Sequence, residues 1–171
     1  QDAALTLRLW TFFKGLIIKE DIGDIFDLEL KVLKTIIPMR QRGVRVDLEK
    51  AERIKIDLEQ REKKLLAEIK RQSGIAVELW AAESVSKAFD ALNLEYNKTE
   101  KTGAPSFTKG FLANHPHEVP KMIVEAREFN KARTTFVDAI LKHQVNGRIH
   151  AELHPLRSDD GGTVTGRFSY S

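Results

Sequence analysis

Cysteine is absent from all 171 residues. That excludes disulfides and thiolate metal centres within this segment and is compatible with the cytosol. No run approaches the roughly 18 consecutive apolar residues that a membrane span needs, so no membrane partner is expected. A basic start leading into an apolar leader is also missing. Charge of one sign does not dominate: 28 Lys and Arg against 25 Asp and Glu leave +3, with a pI near 9.1. Alone, so mild a balance is only a weak pointer to nucleic acid.

What is present is helical periodicity. Apolar residues are 42% and charged residues 31% of the chain, which suits a globular segment with exposed helices. Leu5, Leu9, Phe12 and Leu16 recur at three and four, predicting a helix from Asp2 to about Lys19. Ile25, Leu28, Val32 and Ile36 predict a second, from Asp24 to Arg42, kinked at Pro38 and capped by Gly43. After a short extended link, Asp47 caps a long helix reaching about Gln72. Its stripe is Ala51, Ile54, Leu58, Leu65 and Ile69, and Glu49–Arg53 and Glu59–Lys63 take the spacing of exposed ion pairs. Ser73-Gly74 ends it, and Glu83 to Leu92 forms a shorter helix. KTEKTGAPSFTK, from Lys98 to Lys109, has loop composition. A last helix should run from near Pro120 to about His143. Beyond it the period changes, and residues around Ile149 to His154 and Thr163 to Phe168 predict two short strands joined by SDDGG. The fold class is therefore mainly α with a C-terminal β-hairpin (α+β).

On the last helix Met122, Ala126, Phe129, Phe136 and Ile140 gather on one side at 100° per residue, with Arg127, Lys131 and Thr134 opposite. Two cations and a hydroxyl in line suit a phosphate backbone; a merely solvated face would look the same. Arg133 points nearer the apolar side, where it could pair with a carboxylate or pack its stem. In Thr165-Gly166-Arg167 the glycine permits close backbone approach and the arginine offers donors, although ordinary hairpins share this pattern. Asp159 and Asp160 before two glycines read as a turn. His150 and His154 lack the third ligand zinc requires, and His115 and His117 read as surface residues. By itself Asp2 is a first-turn acid.

The order of these motifs resembles the family-A DNA polymerases, the bacterial polymerase-I type, particularly phage members. QDAALTLRLW resembles the end of the third exonuclease motif, which makes Asp2 the expected metal-binding aspartate of a 3′–5′ exonuclease site. RGVRVD resembles the approach to the thumb, and KTEKTGAPSFTK the thumb loop. GRIH followed by TVTGRFSYS resembles the start of the palm. Ala81 and Ala82 stand where the family often has serines, and SDDGG is longer than in many bacterial members.

The resemblance implies a piece of a larger protein: the tail of an exonuclease domain (1–22), a helical thumb (23–145) and the start of a palm (146–171). It implies that Arg127, Lys131, Thr134, Arg133, Thr165 and Arg167 contact DNA, with Arg167 at the minor groove of the primer end. The implied partners are primer–template DNA and deoxynucleoside triphosphates, with Mg²⁺ as cofactor and a monomer in bacterial or phage-infected cytoplasm. The palm carboxylates would lie beyond Ser171, so no catalytic residue falls inside the chain and the isolated piece is expected to be inactive. The alternative is a non-catalytic helical nucleic-acid-binding module.

Overall fold

The computed structural model describes residues 2–155, 163, 165 and 167–170. The helices are α1 Asp2–Lys19, α2 Gly23–Arg42, α3 Leu48–Ser73, α4 Ala82–Ala91, α5 Lys109–Ala113, α6 Glu118–Lys131 and α7 Asp138–His143. Between α6 and α7 the helix widens into a π turn, Ala132–Val137. Three antiparallel strand pairs complete the fold: β1 Val44–Arg45 with β4 Arg148–Ile149, β2 Asn97–Lys98 with β3 Pro105–Ser106, and β5 Leu153–His154 with β6 Ser169–Tyr170. Among the described residues no helix is long and apolar enough to cross a membrane.

The chain divides into two compact units, Val46–Gly147 and Gln1–Arg45 with Arg148–Ser171. α2, which the sequence assigned to the thumb, clusters with α1 and the C-terminal strands.

The Val46–Gly147 unit contains the core. Ile69, Val85, Ala88, Phe89, Leu112, Val119, Ile123 and Ala126 are fully buried, and Phe89 meets Phe107 at 4.8 Å between ring centroids. Local signals set the helix ends. The Asp47 carboxylate accepts from the Lys50 amide at 2.9 Å, and Gly74 closes α3 at φ 73°. Thr108 starts α5, a helix that the loop-like composition of Lys98 to Lys109 did not announce, and the β2–β3 hairpin occupies that same stretch. His117 is no idle surface residue: its ring nitrogen accepts from the Val119 amide and caps α6. His115 packs edge-on against Phe89, 5.7 Å between centroids.

Two departures lie on α3 and α6. Ile54, expected on the buried stripe of α3, is exposed, whereas Glu62 is buried in the same row. Phe136, expected on the buried face of the last helix, is 60% exposed. The π turn accounts for this. Its wider turn adds a residue and rotates everything after Lys131 out of the phase that 100° per residue predicts. The expected Glu59–Lys63 pair forms at 2.7 Å, and a further i,i+4 pair joins Asp57 to Arg61. Glu49–Arg53 makes no ion pair among the described residues.

In the other unit, α1 and α2 bury no residue, and Leu5, Leu9 and Phe12 are exposed. Trp10 meets Phe26 at 5.8 Å. Gly43 ends α2 at φ 61°, as its place in the sequence predicts, and β4 lies alongside. The last strand falls at Ser169–Tyr170, later than the expected Thr163 to Phe168: Thr165 is in a turn, and the Thr163 hydroxyl donates to the Arg167 carbonyl at 2.7 Å. The SDDGG segment and Gly166 lie outside the described residues.

Candidate nucleic-acid interface

Helix α6 places Arg127 and Lys131 one turn apart, so both side chains leave the same face. They line a cleft of about 370 Å³ with Trp80, Phe107, Lys109, Val124 and Glu128. Three cations face one carboxylate there, and Lys109 is tied to that Glu128 at 2.7 Å. Lys131 is exposed and has no carboxylate partner among the described residues.

Arg127 is half-buried. Its Nε donates to the Leu79 carbonyl at 2.7 Å and its Nη1 to the Phe107 carbonyl at 2.9 Å. Its guanidinium carbon lies 5.4 Å from the centroid of the Trp80 ring. Burial lowers its pKa from the ordinary arginine value, but a guanidinium retains its charge across the working pH range. Two of its donors thus brace the α3–α4 and β3–α5 connections, while the residue also lines the cleft. Thr134 is exposed, and its hydroxyl donates to the Asn130 carbonyl at 2.8 Å. This bond serves the acceptor that a regular α-helix would leave to the Thr134 amide, at the point where the π turn opens.

Arg133 answers the question its position posed. Its Nη2 is 3.1 Å from Glu62 Oε2, and its Nη1 is 3.7 Å from Asp138 Oδ2. The side chain is only 20% exposed, and the carboxylate pairing that its position allowed is the one that forms. The five-residue separation of Arg133 and Asp138 suits the wide turn between them. Sequence reasoning missed Asn130, which joins this pair to the cleft. Its Nδ2 donates to Glu62 Oε1 at 2.8 Å, and its Oδ1 accepts from the Trp80 indole N–H at 2.9 Å. Lys55 completes the series, 2.8 Å from Asp138 Oδ1. One signal was available: Glu62 sits between Leu58 and Leu65 on the α3 stripe, and Arg133 lies near the apolar face of the last helix.

Thr165 and Arg167 belong to the other compact unit, where Arg167 is exposed and the Thr165 hydroxyl donates to that of Thr163 at 3.2 Å. Asp2 is exposed at the start of α1. No group of three or more His, Asp or Glu able to hold a metal ion occurs among the described residues.

The pattern of DNA polymerase family A matches residues 48–171, most of the chain. The chain belongs to DNA polymerase family A. A DNA-directed DNA polymerase of Pseudomonas phage M6 is 31% identical across 99% of the chain, which covers 26% of that protein. DNA polymerase DpoZ of Vibrio phage phiVC8 is also 31% identical, with 99% and 28% covered. Thermostable DNA polymerase I of Thermus filiformis is 30% identical over 85% of the chain and 18% of its own length. The chain thus spans between 18% and 28% of the length of these family-A relatives. Among solved structures, the polymerase domain of Pol1 from M. smegmatis, in complex with DNA primer-template and dNTP, superposes with a TM-score of 0.64. It covers 84% of this chain and 25% of its own at 23% identity, so this likeness speaks to fold. The mainly helical architecture with small antiparallel strand pairs agrees with that expected from the sequence.

Proposed function

We propose that the chain is a segment of a DNA-directed DNA polymerase and that its Val46–Gly147 unit, the thumb, holds primer–template duplex through phosphates. The observation carrying this reading is the pairing of Arg127 with Lys131 on one face of α6, lining a cleft with a cationic excess. Lys131 supplies a mobile point charge. Arg127 supplies a fork held at a set angle by two carbonyls, so that less freedom is lost when it meets a phosphate. Thr134 adds a neutral hydroxyl, Thr165 is a further DNA contact, and Arg167 contacts the minor groove at the primer end. Arginine there reaches acceptors that every base pair presents, which checks pair shape and not sequence. Mg²⁺ and deoxynucleoside triphosphates belong to the whole polymerase in this reading. Among the described residues Asp2 belongs to no group of three or more His, Asp or Glu that could hold a metal ion, and no chemical step is assigned to it.

The test is the salt dependence of binding to blunt duplex. Lys131→Ala should weaken binding and reduce the slope of log K against log salt by about one, the counterion release of a single phosphate contact. An unchanged slope removes Lys131 from the interface. In the whole polymerase, Arg167→Ala should lower nucleotide incorporation more than duplex affinity; equal losses would reduce Arg167 to a generic cation.

A further inference from the structure

Trp80 is the least economical residue in the cleft, for 62% of its surface is left to solvent. Core packing therefore does not explain why a large ring is held there. Its anchoring is polar instead. The indole N–H is fixed by Asn130 Oδ1, Asn130 Nδ2 is fixed by Glu62, and Glu62 is held by Arg133, both carboxylate and guanidinium being largely buried. A ring pinned at its nitrogen by a buried network keeps its orientation while its apolar surface stays available. The cleft is also lined by Phe107, the Arg127 guanidinium and Lys131, whose ammonium has no carboxylate partner among the described residues. Duplex phosphates need only cations and hydroxyls, so the aromatic component of the cleft is left over.

We propose that this cleft is a seat for one unpaired nucleotide of DNA, its base stacked on Trp80 and its phosphate on Lys131. Aromatic surface beside a cationic rim is the chemistry that binds single strands without regard to sequence, because every base offers a stacking face. The proposal rests on the reading that this side of α6 faces DNA and adds to it a non-duplex ligand. Asn130 is a positioning residue that sets the ring angle through Glu62.

In the 171-residue chain carrying Trp10→Phe, Trp80 is the sole tryptophan, so its emission reports on the seat alone. Titration with a short thymidine oligomer should quench that emission, and blunt duplex of equal length should quench it much less. A duplex with a single-stranded 3′ extension should bind on the order of ten-fold tighter than the blunt one. Trp80→Ala should abolish that preference, the extended and blunt duplexes then binding alike. Trp80→Phe, which keeps a ring, should retain part of it. Circular dichroism establishes that the variants remain folded. Unchanged Trp80 emission with single strand, or equal affinity for blunt and extended duplex, overturns the proposal. If duplex binds with a normal salt slope while Trp80 stays silent, only this inference fails. If neither form of DNA binds, the duplex reading fails with it.

Discussion

Removing the Glu62 carboxylate is the most informative single perturbation of the Val46–Gly147 unit. Glu62 is 8% exposed and accepts from Asn130 Nδ2 at 2.8 Å and Arg133 Nη2 at 3.1 Å. Glu62→Met fills the volume, so the cost comes from the partners left behind. Stripping one member from a buried ion pair costs about 3–5 kcal/mol. Arg133 is 20% exposed and still has Asp138 at 3.7 Å, which places the loss near the lower end, about 3 kcal/mol. That is a large share of the ~5–15 kcal/mol by which domains are stable. In urea, followed by helical circular dichroism at neutral pH, the midpoint should fall by about 1–3 M with little change in slope. The double variant Glu62→Met, Arg133→Met should be less destabilised than the sum of its parts, because the unpaired guanidinium is gone. A Glu62→Met protein within 1 kcal/mol of wild type, or strictly additive effects, would refute the view that this pair is a structural element of the unit.

Gly43 adopts φ 61° and ψ −179°, a conformation almost restricted to glycine, and an added Cβ would stand 2.7 Å from the Ile149 carbonyl oxygen. Gly43→Ala should therefore cost about 1–3 kcal/mol or more in thermal unfolding; a variant as stable as wild type would show that the backbone there is free to change. On α3, the hydrogen bonds from Arg71 and then Gln72 hold the Glu68 carboxyl down at about 2, from an ordinary value of 4.5. A depressed carboxylate contributes stability above the unfolded value and loses it as pH falls through the folded one. The stability gap between wild type and Arg71→Ala should thus close as pH drops from about 4.5 to about 2, and should shrink in high salt because both groups are exposed. A gap that is constant across that window would refute the assignment.

Features encoded by neighbouring residues were the legible ones. Asp47, Gly74 and Gly43 act within a few residues of themselves, and each helix end follows from them. The α5 helix and the β2–β3 hairpin were hidden because lysine, threonine, glycine and proline describe a turn-rich stretch without specifying how it folds back. The π turn was illegible for a different reason. A helical wheel assumes a constant angle per residue, and here six residues violate it, so Phe136 was placed on the wrong face. In the cleft, Arg127 and Lys131 were readable from their spacing alone. Asn130 and Trp80 were not, since their meeting depends on residues 50 apart in sequence coming within 2.9 Å. The recurrence of Leu5, Leu9 and Phe12 at three and four identified the helix correctly, and among the described residues that stripe is exposed.

The two ends of the Val46–Gly147 unit are bonded to each other, the Val46 amide donating to the Gly147 carbonyl at 2.9 Å. The chain therefore departs and returns through a single clasp, and the whole unit is a cassette. Its closing entropy is met once, at that clasp, whatever lies between. A linker of a few residues could join Val46 to Gly147 and circularise the unit, and new termini could be opened at an exposed turn such as Lys101–Gly103 without altering the fold. By the same topology, segments can be lengthened or exchanged inside the clasp while the flanking strands keep their register.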